Sequence, residues 1–380
     1  MVRVDVKPKL IQWACERVGV SPNMLEERFP HIEEWERNVS KPTLKQLEDL
    51  AKFTRTPIGY FFLPEPPVEK VPIADFRTVE NEFISHPSPD LLETIYICQH
   101  RQEWYRSFLK SSHEDELPFA GSVNTSVDVV GIAAKIRSLL GFSLEERRTM
   151  PTWTDALRRF IEQVDGLGVM VMCSGVVLNN NQRKLNPEEF RGFALSDKNA
   201  PLIFINGADT KSAQMFSLAH ELAHIWLGVS AVSDAQAVRI PNHRVERWCN
   251  QVAAELLVPL AIIRKEYDKK AELSIQVKRL ASRFKVSTLV ILRRIHDVGG
   301  LSDDQFLAAY KEELKRLLSV RKGDGGDFYL TQGARLGKRF ARALVISTLE
   351  GQTLYRDAFK MLGFSKQATF QELGHSLGVV

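Results

Sequence analysis

Three side chains near the middle of the 380-residue chain have the types and spacing to hold a divalent metal ion and work on a water beside it: His220, Glu221 and His224. They stand in K-S-A-Q-M-F-S-L-A-H-E-L-A-H-I-W-L-G, residues 211–228. On an α-helix, positions i and i+4 lie one above the other, so both imidazoles can aim at one ion. Glu221, beside the first histidine, can then reach a water on that ion and act as general base. Phe216, Leu218, Leu222, Ala223, Ile225 and Leu227 supply the apolar background of a packed helix. The competing reading is a pair of hydrogen-bonded histidines on a half-buried helix.

A zinc ion that does chemistry takes three protein ligands and keeps one position open. A second helix is expected over residues 244–260, R-V-E-R-W-C-N-Q-V-A-A-E-L-L-V-P-L, stopped by Pro259. Glu246 on its first turn is the candidate third ligand, with Asn250 one turn on as a hydrogen-bonding support. His243, just before the helix, and Glu255, nine positions after Glu246, compete for that place. His243 suits better a catalytic role as an oxyanion or supporting group, and Glu255, on the opposite face, a structural one. The expected cofactor is one Zn2+ per chain.

Positioning these groups falls to short β-strands with β-branched and apolar residues at 169–173, 192–195 and 202–205. The tight S-D-K-N-A-P connection at 196–201 makes the last two an antiparallel hairpin leading into the 211–228 helix. An exposed edge of this small antiparallel sheet could align an extended peptide by strand addition. Residues 229–243 read as a loop.

Length predicts two or three domains. Lys and Arg number 51 against 47 Asp and Glu, a surplus too small to mark a nucleic-acid-coating protein. The four cysteines form no C-x-x-C pair, which argues against a zinc ribbon and fits reduced thiols. The first residues lack an apolar signal core and no run of 18 apolar residues occurs, so no membrane span is expected, and the cytoplasm is the expected compartment.

Residues 9–63 show apolar helical periodicity broken by Gly19, Ser21-Pro22 and Pro42-Thr43. Through W-E-R-N at 35–38 and K-P-T-L-K-Q-L at 41–47 this stretch resembles the Cro/repressor-type helix-turn-helix family. The resemblance implies binding of double-stranded DNA by residues 9–63 and a homodimer reading two half-sites. The charges argue the other way. Residues 1–68 hold ten Lys/Arg and ten Asp/Glu, with Glu26, Glu27, Glu33, Glu34 and Glu36 around Arg28 and Arg37. A protein-interaction module of the same fold is the alternative.

The Pro-rich P-E-P-P-V-E-K-V-P at 64–72 reads as a semi-rigid linker, and the following I-A-D-F-R-T-V-E-N-E has no period. Helices are expected over 90–109, capped by Asp90, over 127–140, and over 153–164, capped by Thr152 or Thr154. Residues 273–296 read as helix, turn, helix, either a groove reader carrying Lys278, Arg283, Lys285, Arg293 and Arg294 or a pair packed on the core. A basic helix end at 314–322, a flexible break at Gly323 to Gly326, and helices over 333–348 and 353–362 follow. Arg335, Lys338, Arg339 and Arg342 form a basic stripe, by default a solvated face, otherwise a contact for an acidic partner or nucleic acid.

Taken together, F-S-L-A-H-E-L-A-H at 216–224, E-R-W-C-N at 246–250 and A-A-E-L-L-V-P at 253–259 resemble the ImmA/IrrE family of bacterial zinc metallopeptidases, in the form carrying an N-terminal helix-turn-helix domain. The resemblance, strongest over 125–300, implies His220, His224 and Glu246 as zinc ligands and Glu221 as base. It also implies cleavage of a partner repressor or antitoxin; the alternative is a non-catalytic antitoxin or regulator that holds a toxin or operator DNA. The expected fold is α+β and mostly α-helical: a helix-turn-helix domain over 1–68, a linker and long helix over 69–124, a zincin-like metallopeptidase domain over 125–300, and a helical C-terminal region over 301–380.

Overall fold

The computed structural model describes residues 3–19, 21–79, 82–83, 87–233, 243–319 and 335–379. They form two compact units, Met1–Pro72 with Thr78–Ile95, and Ile73–Arg77 with Tyr96–Val380.

The first unit holds α1 (Pro8–Val18), α2 (Pro22–Arg28), α3 (Ile32–Glu36), α4 (Leu44–Phe53) and a 3-10 turn, Ile58–Phe62. Proline at the first position presets the helical φ of α1 and α2, and Gly19 ends α1 in the left-handed region at φ 61°. Thr43 and Gln46 cap α4 reciprocally, each side chain bonding the other's backbone N–H. Leu10, Ile11, Ala14, Leu25, Ile32, Trp35, Leu47, Leu50 and Phe61 meet in one core, so the expected apolar faces are those that pack. Arg17 clamps Glu69 of the Pro-rich stretch, its Nη2 2.6 Å from Oε1. A two-stranded antiparallel ladder, β2 (Thr78–Val79) with β3 (Glu82–Phe83), belongs to this unit. The long helix α5 (Pro89–Ser111) is capped differently from expectation: the Ser88 hydroxyl accepts from Leu91 N at 3.1 Å, and Asp90 is drawn to Arg55 instead.

The second unit is built on a five-stranded sheet in the order β1 (Ala74–Asp75), β7 (Ala231–Ser233), β5 (Gly192–Leu195), β6 (Leu202–Asn206), β4 (Met170–Ser174). The β5–β6 hairpin is antiparallel as expected, and Asp197 shapes its turn by accepting from Asn199 N and Ala200 N at 2.9 and 2.8 Å. Three expectations need correction. The sheet is mixed, because β4 runs parallel to β6 and β1 parallel to β7. Neither hairpin strand is an exposed edge, since β7 flanks β5 and β4 flanks β6. Strands β7 and β1 arise from stretches read as a loop and as aperiodic linker.

Helix α9 (Lys211–Leu227) packs on β5 and β6 and against α8 (Trp153–Gly166) and α10 (Arg244–Leu257). Thr210 caps it, accepting from Ala213 N, and Gly228 ends it at φ 74°. Thr152, rather than Thr154, caps α8. On the far side α10 meets α6 (Val129–Leu140). The short helices α7 (Leu144–Thr149) and α11 (Leu260–Glu266) complete this layer; neither is long enough to show a period.

α12 (Leu273–Phe284) and α13 (Thr288–Asp297) turn at Lys285, φ 51°. They contribute Val277, Leu280, Phe284, Ile291 and Ile295 to the same core. Their cations are largely engaged inside the fold. Arg294 donates to Val258 O at 2.8 Å and pairs with Glu255, Lys285 lies over the Trp153 ring, Arg283 pairs with Glu266 and Arg293 with Asp297. The packed pair therefore replaces the groove reader, and Glu255 is structural. Both side chains of the Arg294–Glu255 pair are about 95% buried, at 5% exposure each. Glu255→Ala, which leaves the buried guanidinium only Asp297 at 3.3 Å and the Val258 carbonyl, is expected to cost about 3 kcal/mol in denaturant unfolding, the low end for breaking a buried pair.

After α14 (Asp303–Ser319) come helices Lys338–Leu349, Tyr355–Leu362 and Gln367–Ser376, the last of them not anticipated. Residues 320–334, with the Gly323 to Gly326 break, lie outside the described residues. The basic stripe is partly solvated, as expected by default: Lys338, paired with Glu162, and Arg342, donating to Leu377 O, are exposed, while Arg335 reaches Asn179 and Arg339 donates to Asp165 O from half-buried positions. No described helix is long and apolar enough to cross a membrane.

Candidate metal centre

α9 and α10 each present one face to the other, and at their crossing His220, His224 and Glu246 converge. His220 Nε2 and His224 Nε2 are 3.1 Å apart. Glu246 Oε2 is 3.2 Å from the first and Oε1 2.9 Å from the second. Both histidines are fully buried and Glu246 is 4% exposed. A tetrahedral zinc ion with bonds of about 2.0–2.2 Å spaces its ligand atoms about 3.3–3.5 Å apart. The two imidazole nitrogens and the two carboxylate oxygens thus already stand near that spacing, and the donor set of two imidazoles and a carboxylate suits zinc.

The electrostatics call for positive charge at the centre of this triangle. Burial alone would lower the His220 pKa, but the Glu246 carboxylate, Glu221 and the Asn250 hydrogen bond outweigh it and push it up to about 9. Glu246 is itself raised by burial yet held well below the usual carboxylate range by the two histidines. Two buried imidazole nitrogens 3.1 Å apart cannot face each other with lone pairs alone, so a proton or a cation must lie between them.

His220 Nδ1 donates to Asn250 Oδ1 at 2.8 Å. That bond fixes the tautomer and leaves the Nε2 lone pair free for a ligand, the support anticipated for Asn250. Asn250→Ala is expected to weaken zinc binding by about 10–100-fold in a competitive chelator titration, with the fold retained.

Glu221 stands beside the trio without joining it. Burial raises its pKa against the pull of both histidines and Ser233. Ser233 on β7 donates its hydroxyl to Oε1, while Oε2 is buried with no hydrogen-bond partner among the described residues. Gly192 on β5 lets the carboxylate come this close to the sheet: a Cβ there would lie 3.1 Å from Glu221 Cγ and 2.9 Å from Phe204 O. His243 is not brought to the trio. It occupies the N-cap position of α10, exposed to solvent, with its ring stacked on Phe76 at 4.3 Å. Phe76 in turn lies 6.2 Å from the His224 ring, near-parallel at 18°.

Ser233, Gly192 and Phe76 are the site residues that sequence reasoning missed. Gly192 opens a recognisable strand, and a glycine inside a strand marks a close approach. Ser233 and Phe76 lie in segments too short to show a period of two.

A sequence-family model of M78 peptidases, described as IrrE N-terminal-like domain, matches residues 165–296. The match spans the hairpin, α9 and α10, and so supports the ImmA/IrrE resemblance and a metallopeptidase-like function for this part of the chain. A second model, of a domain of unknown function (DUF8813), matches residues 336–376. No curated protein matches the chain. Residues before 165 lie outside both matched segments.

Proposed function

We propose that this chain is a zinc-dependent endopeptidase that makes a selective cut in a partner protein, of the repressor or antitoxin class that the family resemblance implies. The observation that carries the reading is the buried convergence of His220, His224 and Glu246 at ligand spacing, beside a separate buried carboxylate. A zinc ion held by these three would supply a water of lowered pKa and polarise the scissile carbonyl.

The remaining work belongs to the chain. Glu221 takes a proton from the attacking water on its unpartnered Oε2 and later passes it to the leaving amine. Its raised pKa suits both halves of that transfer. Ser233 holds Oε1 so that Oε2 is the oxygen left to act, and Asn250 keeps His220 in the ligand tautomer. His243, exposed and stacked on Phe76, is our candidate for steadying an oxyanion once a substrate is bound.

For the N-terminal unit a protein partner is the better-supported ligand. Glu26 and Glu27 on α2 and Glu33 and Glu34 on α3 are exposed, and carboxylates on the helices that would enter a groove oppose phosphate binding. The test is co-expression with the product of the adjacent gene. Wild type should clip that partner and Glu221→Gln should leave it whole; a stable intact complex with both would favour the non-catalytic antitoxin.

A further inference from the structure

The sheet edge that carries Ser233 is covered by the chain itself. β1 pairs in parallel with β7, Ala74 opposite Ala231 and Asp75 opposite Val232, and Phe76 N donates to Val232 O at 3.0 Å. This register sets Phe76 level with Ser233, the residue that holds Glu221. The Phe76 ring leans on His224 and stacks on His243. Arg77 then anchors the segment: fully buried, it grips Asp75 through Nε–Oδ1 at 2.8 Å and Nη2–Oδ2 at 2.6 Å, and reaches Glu189 at 3.2 Å.

An extended peptide joining this sheet at the metal centre would need the same backbone groups of β7. Its side chains would alternate, one toward the metal helix and the next away, as Phe76 and Arg77 do. The segment is short, with two ladder pairs, and Ala74 is exposed while Asp75 and Phe76 are half-buried. It is also tethered at both ends to the other unit, because Pro72 before it and Thr78 after it belong there.

We propose that residues 73–77 are a tethered competitor of the substrate: they occupy the strand position of the cleaved segment, with Phe76 in the place of a substrate aromatic side chain and Arg77 in that of a following basic one. The inference rests on the peptidase reading and adds two things to it. The favoured substrate segment is an extended strand carrying an aromatic residue followed by a basic one, for which Glu189 is the fixed carboxylate. Access to the metal centre requires residues 73–77 to leave β7, and a partner that moves the N-terminal unit would pull on both of their ends.

The test uses the full-length zinc-loaded chain in the Glu221→Gln background, so that nothing is cut, and a fluorescein-labelled peptide of sequence I-A-D-F-R-T as probe. Fluorescence anisotropy should show the probe binding Phe76→Ala about tenfold or more tighter than the chain with Phe76 intact, since the competitor no longer holds most molecules closed. Equal affinity for the two would overturn the proposal. Hydrogen exchange on the unsubstituted chain gives an answer that does not depend on that variant folding. Amides of 73–77 should exchange faster than those of the β5–β6 hairpin, and faster still when probe is added; protection equal to the hairpin, lost only on global unfolding, would make the segment a permanent strand and overturn the proposal. Neither readout involves bond cleavage. A chain that passes both and never cuts a partner refutes the peptidase reading alone, and one that cuts but fails here refutes the competitor alone.

Discussion

Glu221→Gln is expected to keep the metal and lose the cut, with partner cleavage falling by about 100- to 10,000-fold, the usual worth of a positioned general base. Glutamine matches the shape of glutamate, can still accept from Ser233, and leaves His220, His224 and Glu246 in place. What it cannot do is take and return a proton. Zinc content should therefore match wild type while single-turnover cleavage collapses. Stability supplies an independent check with a definite sign. Burial raises the Glu221 pKa above its unfolded value, so the unfolded chain loses that proton more readily, and the carboxylate opposes folding as pH rises above the unfolded pKa. In the metal-free protein at neutral pH the amide removes that opposition, and the melting temperature of Glu221→Gln should equal or exceed that of wild type.

Glu246→Ala is expected to have the opposite profile: loss of the metal first, and of cleavage as its consequence. Removing a partner that only supports a ligand costs about 10–100-fold in metal affinity, so removing a ligand itself should cost more than about 100-fold. The carboxylate also offsets the crowding of two imidazole nitrogens 3.1 Å apart. Without it His220 loses the largest of the interactions that hold its pKa up, and the pair has only Glu221 nearby to offset its crowding. Zinc titration with a competing chelator should separate this variant from Glu221→Gln at once. Similar zinc affinity in both variants would remove Glu246 from the ligand set.

How much of this was legible in the sequence depended on the range of the interaction. Helical periodicity and local chemistry placed α9 and α10, narrowed the α8 cap to Thr152 or Thr154, and set His220 with His224 and Glu246 with Asn250 on one face each, because each depends on residues three or four apart. The hairpin was equally local, set by the turn at Asp197. The misses were contacts between distant segments. β7 has three residues and β1 two, too short for an alternation to be seen, and their pairing joins residue 74 to residue 231. Charged runs misled for the same reason: Arg294 and Arg339 look like surface cations until Glu255 and the Asp165 carbonyl are brought to them by the fold. The convergence of His220, His224 and Glu246 was thus readable, whereas Ser233 behind Glu221 and Phe76 beside His224 required the sheet.

The measurement that bears most directly on the account is the zinc content of the purified full-length chain after metal loading and desalting, for wild type, Glu221→Gln and His224→Ala side by side. About one zinc per chain is expected in the first two and almost none in the third. Absence of bound zinc in the wild type, or full retention in His224→Ala, would contradict it.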